Sequence, residues 1–152
     1  MVKDEDLPVF DKVKAWFDIA NEEGYDGHDA IIAKTLKLES VTYEPTKSNP
    51  HNSRTVYSFT VPRQLCNMGG NLHGGAVALI FDITTSTAIT ACINCVYLRP
   101  APEGAKVFVE SWVVHLGKRM GLTMGVMRLD SEDGKVCYTC EHGKASVGSS
   151  SL

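Results

Sequence analysis

The sequence predicts an α+β domain in which one long helix packs against an antiparallel β-sheet. The first observation is a run from Gly74 to Cys92 that is rich in Ala, Leu, Ile, Val and Phe and contains a single charged residue, Asp82. Its length suits a helix better than a strand, and its scarcity of charge indicates a mostly buried position. The second observation is a series of alternating apolar and polar segments between short turns, which is typical of antiparallel strands. Together they predict a helix layer on a sheet layer.

A second, amphipathic helix is predicted near the N-terminus. From Pro8 to Ala20 apolar residues recur at helical spacing, which favours a helix docked on the domain. We expect its Trp16 and Phe17 to pack rather than to bind a cofactor. The turn-rich segment Gly24–Asp29 follows, and its His28 is expected to face solvent.

The strands follow from the alternation of apolar and polar residues. Strand character begins near Leu36, and a turn-rich break separates it from the next strand. The later strands are predicted at Arg54–Val61, Tyr97–Pro100, Lys106–Leu116, Leu122–Leu129 and Lys135–Val147. This reading divides the chain into an N-terminal helical extension (1–34), a main domain (35–148) and a tail (149–152) that we expect to be disordered.

Size and charge narrow the classes of function. A chain of 152 residues favours one domain, and 43% apolar and 22% charged residues are ordinary for a globular protein. Residues 1–30 hold nine acidic and three basic residues, whereas residues 31–152 hold nine and twelve. The absence of a Lys/Arg cluster argues against nucleic acid as a partner. The slight basic excess of the main domain suits a phosphate-bearing ligand.

No targeting or membrane-spanning segment is predicted. The N-terminus is acidic and lacks a continuous apolar core, and Asp82 and several Thr interrupt the central apolar run. We therefore expect an intracellular, cytoplasmic protein, with a mitochondrial location left open.

The five cysteines raise the possibility of a zinc site, because they include two Cys-x-x-Cys pairs. Cys137 and Cys140 lie in a predicted strand, where residues three apart face opposite sides of the sheet. Cys92 and Cys95 are expected to straddle the helix end, without a Gly or Pro to make a tight turn. We interpret the cysteines as small buried residues or free thiols, and expect neither a metal nor a cofactor.

Asp82 is the first candidate for chemistry. A carboxylate on an almost charge-free helix either points to solvent or is hydrogen-bonded within the fold, or it is catalytic. The glycine-rich loop before the helix leaves backbone N–H groups at the helix start, which attract negative charge. The neighbouring Asn67 and His73-Gly74-Gly75 add an amide, an imidazole and backbone that a ligand can approach, which favours a catalytic Asp82.

These residues resemble the signature of the hotdog-fold acyl-CoA thioesterases, in the branch with the phenylacetyl-CoA and 4-hydroxybenzoyl-CoA type enzymes and the small eukaryotic thioesterase superfamily proteins. The matching residues are Asn67, Gly70, His73, Gly74, Gly75 and Asp82, with Tyr97–Ala101, His115–Lys118 and Glu141–Ala145 further along. The resemblance covers residues 35–147. It implies an antiparallel sheet wrapped around a central helix, hydrolysis of an acyl- or aryl-acyl-CoA to the free acid and coenzyme A, and a homodimer or dimer of dimers.

The resemblance also implies roles for individual residues. The Gly74 N–H would polarise the thioester carbonyl, and Asn67 would help to hold the carbonyl and the attacking water. Asp82 would act as general base or nucleophile, contributed across a dimer interface. His73 would orient the loop or contact the carbonyl, with a purely structural role equally open. Substrate-binding positions would be Gly75, Lys118, Arg119, His142 and Lys144, the last four at or beside positions that meet coenzyme A phosphates, although each alone is typical of a solvated surface charge.

One segment departs from the family pattern. Between the central helix and Tyr97 the family has a loop and a strand that supplies a Ser or Thr near the attacking water, whereas here residues 90–96 alone join them. Either the helix ends early or the chain is a shortened variant. The alternative function is therefore a catalytically weak hotdog protein that binds acyl-CoA or serves in assembly. A hotdog dehydratase is less favoured, because its acid-base His has no match in the helix.

Overall fold

A computed structural model describes residues 7–18, 24–85 and 89–145 as three helices and one six-stranded sheet. The helices are α1 (Val9–Asp18), α2 (Ala30–Thr35) and α3 (Gly74–Thr84), and a 3₁₀ turn spans Arg63–Leu65. The strands are β1 (Lys37–Tyr43), β2 (Ser53–Thr60), β3 (Ile89–Tyr97), β4 (Lys106–Leu116), β5 (Met120–Leu129) and β6 (Val136–Ala145). All neighbours are antiparallel, in the order β1-β2-β4-β5-β6-β3. The predicted α+β architecture is confirmed.

The core lies between α3 and one face of the sheet. Phe81 of α3 is completely buried, and it fits because its neighbour on β5 is Gly125. A Cβ at position 125 would lie 2.6 Å from the Phe81 ring, so glycine sets how closely the helix approaches the sheet. Other fully buried apolar residues of this core include Val77 and Ile80 of α3, Val107 and Val109 of β4, and Met127 of β5.

The central helix is shorter than predicted. It ends at Thr84 and not near Cys92, because Thr84 and Thr85 turn their hydroxyls back onto backbone carbonyls of α3 and the following residues are rich in β-branched side chains. The residues before Tyr97 form β3, which pairs with β6. Of the two explanations for the short connection, the early helix end is therefore the one observed.

Two further predictions change with this boundary. Cys92 and Cys95 lie within β3 and do not straddle a helix end. The predicted strand Tyr97–Pro100 is wrong, because Tyr97 is the last residue of β3 and the next three residues lie outside any strand, with a bend at Arg99. The other predicted strands are confirmed within a few residues, up to Ala145, where the described residues end.

The N-terminal helix is confirmed as α1, but only one of its two large aromatic residues packs. Phe17 is buried and its ring centroid lies 5.4 Å from that of Tyr57 on β2. Trp16 is 51% exposed, so the expectation that it packs is wrong. His28 is exposed, as predicted.

The short helix α2, which was not predicted, contributes Ile32 and Ala33 to the core, and the domain division at residue 34 stays a prediction. The predicted tail over residues 149–152 lies outside the described residues. Within the described ranges no helix is long and apolar enough to cross a membrane.

Candidate active site

The loop before α3 is held in shape by its own polar groups. Asn67 accepts hydrogen bonds at Oδ1 from the backbone N–H groups of Gly69 (2.9 Å) and Asn71 (3.2 Å). Gly70 adopts φ +73°, in the left-handed region that favours glycine. The Asn67 side chain thus shapes the loop that leads into α3, in addition to the substrate contact predicted for it.

His73 is the N-cap of α3. Its Nδ1 accepts the Gly75 N–H at 2.9 Å, so the proton of a neutral His73 ring resides on Nε2. This bond occupies the Gly75 N–H, which the sequence had grouped with substrate-binding backbone. The Gly74 N–H precedes it, at a position where the helix itself supplies no acceptor. His73 therefore caps the helix, and its contact with a carbonyl stays a prediction. Gly74 presents an N–H group suited to an oxyanion.

Tyr97 fixes the same end of the helix and was not predicted as a site residue. Its hydroxyl donates to the Gly74 carbonyl oxygen at 2.9 Å, although the residue belongs to the end of β3. Its ring also meets Tyr138 edge-on, with centroids 5.6 Å apart. The only sequence feature that pointed to Tyr97 is its position in Tyr97–Ala101, a segment that resembles the family. This feature does not predict the hydrogen bond to Gly74.

Asp82 lies on α3 opposite two charged or titratable residues of β6. Its Oδ1 is 3.5 Å from Nε2 of His142 and 3.8 Å from Nζ of Lys144. The Asp82 side chain is 41% exposed, whereas those of His142 and Lys144 are 0% and 1% exposed. The arrangement is a solvent-accessible carboxylate supported from inside the protein by an imidazole and an amine.

His142 lies between Thr85 and Asp82. Its Nδ1 is 2.5 Å from the Thr85 hydroxyl oxygen, which is also 2.6 Å from the Phe81 carbonyl oxygen, and its Nε2 faces Asp82. Burial, followed by the neighbouring Lys144, lowers the pKa of His142, and Asp82 opposes this shift. Burial likewise lowers the pKa of Lys144, again against Asp82.

Two of the predicted coenzyme A contacts differ from expectation. His142 and Lys144 were expected as surface charges, but their side chains are buried because residues 142 and 144 of β6 share the face that carries α3. Lys118 and Arg119 are exposed in the turn between β4 and β5. Their contact with phosphates stays a prediction.

Comparisons with known proteins find similarity to thioesterases. Residues 69–137 match the family model for the thioesterase superfamily. Over 99 residues the chain is 32% identical to the mouse acyl-coenzyme A thioesterase THEM4, and this alignment covers 60% of the chain and 42% of the mouse protein. The chain thus spans less than half the length of this curated relative.

Solved structures agree over nearly the whole chain. Zebrafish thioesterase superfamily member 2 superposes with a TM-score of 0.76 at 18% identity, over 93% of this chain and 100% of that one. The chain has the hotdog fold. The PaaI protein from the phenylacetic acid degradation operon of Escherichia coli has the same hotdog fold, with a TM-score of 0.66 at 16% identity over 90% and 94% of the two chains.

The cysteines of the hotdog domain are all free thiols. Cys95 of β3 and Cys140 of β6 lie opposite each other in the sheet, and burial raises the pKa of both thiols. Cys137 is buried, and its pKa is raised to about 11 for the same reason. Over the described ranges, no group of three or more His, Cys, Asp or Glu residues is arranged to hold a metal ion.

Proposed function

We propose that the protein hydrolyses acyl-CoA thioesters to a free acid and coenzyme A. The observation that carries this proposal is the accessible Asp82 carboxylate, supported by buried His142 and Lys144, on the same helix whose N-terminus presents the Gly74 N–H. A base and an oxyanion donor are the two groups that hydrolysis of a thioester needs. The thioesterase superfamily match and the thioesterase activity named for the mouse relative support the same reaction.

A homodimer completes the site in this proposal. Asp82 follows Gly74 by eight helical residues, a rise of about 12 Å, so one protomer does not bring both groups to one carbonyl. Among the described strands, β3 is an edge that pairs only with β6, and at its end Val96, Tyr97 and Leu98 are 47%, 51% and 55% exposed. An apolar, unpaired edge favours strand addition. Pairing of β3 with β3 of a second copy would extend the sheet and set Asp82 of one protomer against Gly74 of the other.

The reaction then proceeds in a balanced sequence. The thioester carbonyl oxygen accepts the Gly74 N–H, whose position is fixed by the Asn67 loop, the His73 cap and the Tyr97 hydroxyl. Asp82 takes a proton from water as the water oxygen attacks the carbonyl carbon. The C–S bond breaks, the acid forms, and the departing thiolate takes up the proton to give coenzyme A. The same geometry also allows the alternative mechanism, in which the Asp82 carboxylate itself attacks the carbonyl carbon as a nucleophile.

Lys144 and His142 act on Asp82 in this scheme. The Lys144 amine lies beside the carboxylate, with Nζ 3.8 Å from Oδ1 of Asp82, and helps to hold the side chain in place. The Nε2 atom of His142 lies near enough to share the proton that Asp82 takes up. Lys118 and Arg119 are exposed in the β4–β5 turn and are proposed to contact the coenzyme A phosphates. The Gly75 N–H is already bonded to His73, so Gly75 can contact the substrate only through the rest of its backbone.

The alternative of a catalytically weak binding or assembly protein depended on a missing strand after the central helix. That strand is present as β3, so the alternative loses its support.

The direct test is hydrolysis by the purified protein of acyl-CoAs with acetyl, butanoyl, dodecanoyl and phenylacetyl groups, followed by release of the coenzyme A thiol. Light scattering on the same sample measures the oligomeric state. Turnover of at least one substrate by a dimer or tetramer is expected. No turnover above the buffer rate for any substrate contradicts the proposal.

A further inference from the structure

A cavity of about 500 Å³ lies between α1 and the sheet, beyond the end of α3. The 11 residues of α3 span about 16 Å, whereas the 11 residues of β4 span about 37 Å. More than half the length of the sheet face is therefore out of reach of α3. Ser111 of β4 meets Thr84 at the helix end (3.3 Å), and Val113, two residues further along β4, lines the cavity. The cavity thus lies against the part of the sheet face beyond Thr84, the last residue of α3.

The helix α1 covers the cavity without filling it. Phe17 near its C-terminus packs on Tyr57, whereas Val9, Val13 and Trp16 line the open space. Val9 and Trp16 are 40% and 51% exposed. Exposed apolar side chains on the inward face of a docked helix are an informative exception to ordinary packing, and they indicate room for an apolar ligand.

The lining of the cavity suits an apolar ligand better than a polar one. Four of the lining hydroxyls, those near the end of α3, already donate within the protein: Thr84 and Thr85 to carbonyls of α3, Ser111 to Thr84 and Thr123 to the His142 carbonyl. Among the described residues that line the cavity, Lys12 alone is charged. A polar ligand would compete with these internal hydrogen bonds, whereas a hydrocarbon chain needs no polar partner.

The cavity begins one helical turn from the carboxylate of the proposed active site. Thr85 lines it and follows Asp82 by three residues, a rise of about 5 Å along the helix. A substrate whose carbonyl lies at Asp82 can therefore extend its acyl group past the end of α3 and under α1.

We propose that this cavity binds the acyl chain of the substrate, a flexible saturated chain of about eight carbons or more, with α1 as its cover. If each methylene takes about the 30 Å³ that water occupies in the liquid, the volume holds roughly a dozen methylenes with space remaining. The proposal rests on the proposed thioesterase function and adds its substrate class. Val13 and Val113, on opposite walls, limit the length of chain that enters.

Binding can be measured without hydrolysis, because both tryptophans of the sequence, Trp16 and Trp112, line the cavity. The probe is S-dodecyl-CoA, a thioether that no thioesterase cleaves, with coenzyme A alone as the control. Saturable change in tryptophan fluorescence is expected with the thioether and not with coenzyme A, in the parent protein and in Asp82→Asn alike. Trp112→Phe leaves Trp16 as the sole reporter and is expected to retain the change.

Selectivity is tested by filling the cavity. Val113→Phe adds a ring inside it, and Val114→Phe is the matched control, because Val114 is the next residue of β4, is 44% exposed and does not line the cavity. Val113→Phe is expected to lower kcat/KM for dodecanoyl-CoA at least about tenfold and for butanoyl-CoA less than about twofold. Val114→Phe changes neither. Val13→Phe, with exposed Ala15→Phe as its control, tests the same space from α1 if Val113→Phe does not fold.

The outcomes separate this proposal from the proposed function. Unchanged chain-length selectivity in the filling variants, or a fluorescence change no larger than with coenzyme A alone, overturns the acyl pocket even where hydrolysis is found. Binding of S-dodecyl-CoA that Val113→Phe or Val13→Phe abolishes, in a protein without turnover, supports the pocket and contradicts the thioesterase. A fluorescence change with a phenylacetyl analogue that exceeds the change with S-dodecyl-CoA overturns the assignment to flexible chains.

Discussion

Replacing Asp82 with Asn separates the proposed catalytic role of this residue from its role beside buried Lys144. The change removes one charge and keeps the shape of the side chain. Opposite charges about 4 Å apart attract by about 1 kcal/mol in water and about 4 kcal/mol near a protein surface. The 3.8 Å separation falls in this range, and the 41% exposure of Asp82 moves the value toward its lower end, about 1–2 kcal/mol.

We therefore expect Asp82→Asn to lower Tm by about 2–8 °C in a domain of this size. From the sequence alone, with no partner for Asp82 in view, little loss of stability would be expected. The catalytic effect is larger: loss of a general base lowers kcat about 10²- to 10⁴-fold. Thiol release from an acyl-CoA measures kcat, and calorimetry on the same samples measures Tm.

The double variant Asp82→Asn, Lys144→Met is the control that separates the two effects. It removes both charges, so most of the lost stability should return, because no ammonium is left beside a neutral side chain. Turnover should stay low, because the base is still absent. A single variant that keeps more than about a tenth of the parent kcat refutes the role of Asp82 as a base. An unchanged Tm refutes its stabilising interaction with Lys144.

Three further predictions concern the neighbouring parts of the site. Burial lowers the pKa of His142, so the unfolded chain binds a proton at this residue more readily than the folded chain. The free energy of unfolding should therefore fall as pH drops below about 6.5. Urea unfolding at pH 7.5 and 5.5 should show a smaller fall in His142→Gln than in the parent. Lys118→Ala and Arg119→Ala should raise KM more than they lower kcat, and most at low salt. Lys135→Ala, in a different exposed turn, should leave KM unchanged. If the first two variants have the KM of the parent, Lys118 and Arg119 are solvated surface charges that do not contact the substrate. Val96→Lys on the β3 edge should convert the proposed dimer to monomer and reduce turnover with it, and light scattering that still shows a dimer contradicts β3 pairing.

The sequence predicts those parts of the fold that depend on local pattern. The alternation in residues 106–116 and 122–129 indicates two half-buried strands, and both are observed. The start of α3 at Gly74 also agrees, because His73 and the glycine-rich loop mark a helix N-terminus. Its end does not, because an apolar run rich in Thr, Ile and Ala suits a helix or a strand equally well. The choice depends on β6, which lies far along the chain and supplies the partner for β3.

The candidate site shows the same division. The motif from Asn67 to Asp82 identifies the loop, the cap and the carboxylate, all within one short segment. The buried position of Lys144 is not visible in the sequence, because a lysine in a strand usually reaches water. It becomes buried only through the register of β6 against β3 and β5 beneath α3. The contact of Tyr97 with Gly74 likewise joins residues that are local only in the folded chain.

The pairing of β3 with β6 also determines when this domain can fold during its synthesis. Ile89 pairs with Ala145, so the first residue of β3 waits for a partner that is translated 56 residues later. At the usual rates of translation this interval lasts about 3–11 seconds. During this interval the apolar strand β3 has not yet met β6, and Lys144 has not yet been placed beside Asp82. A nascent chain of this protein is therefore exposed to association with other chains until β6 leaves the ribosome, and chaperone demand should fall sharply after that point.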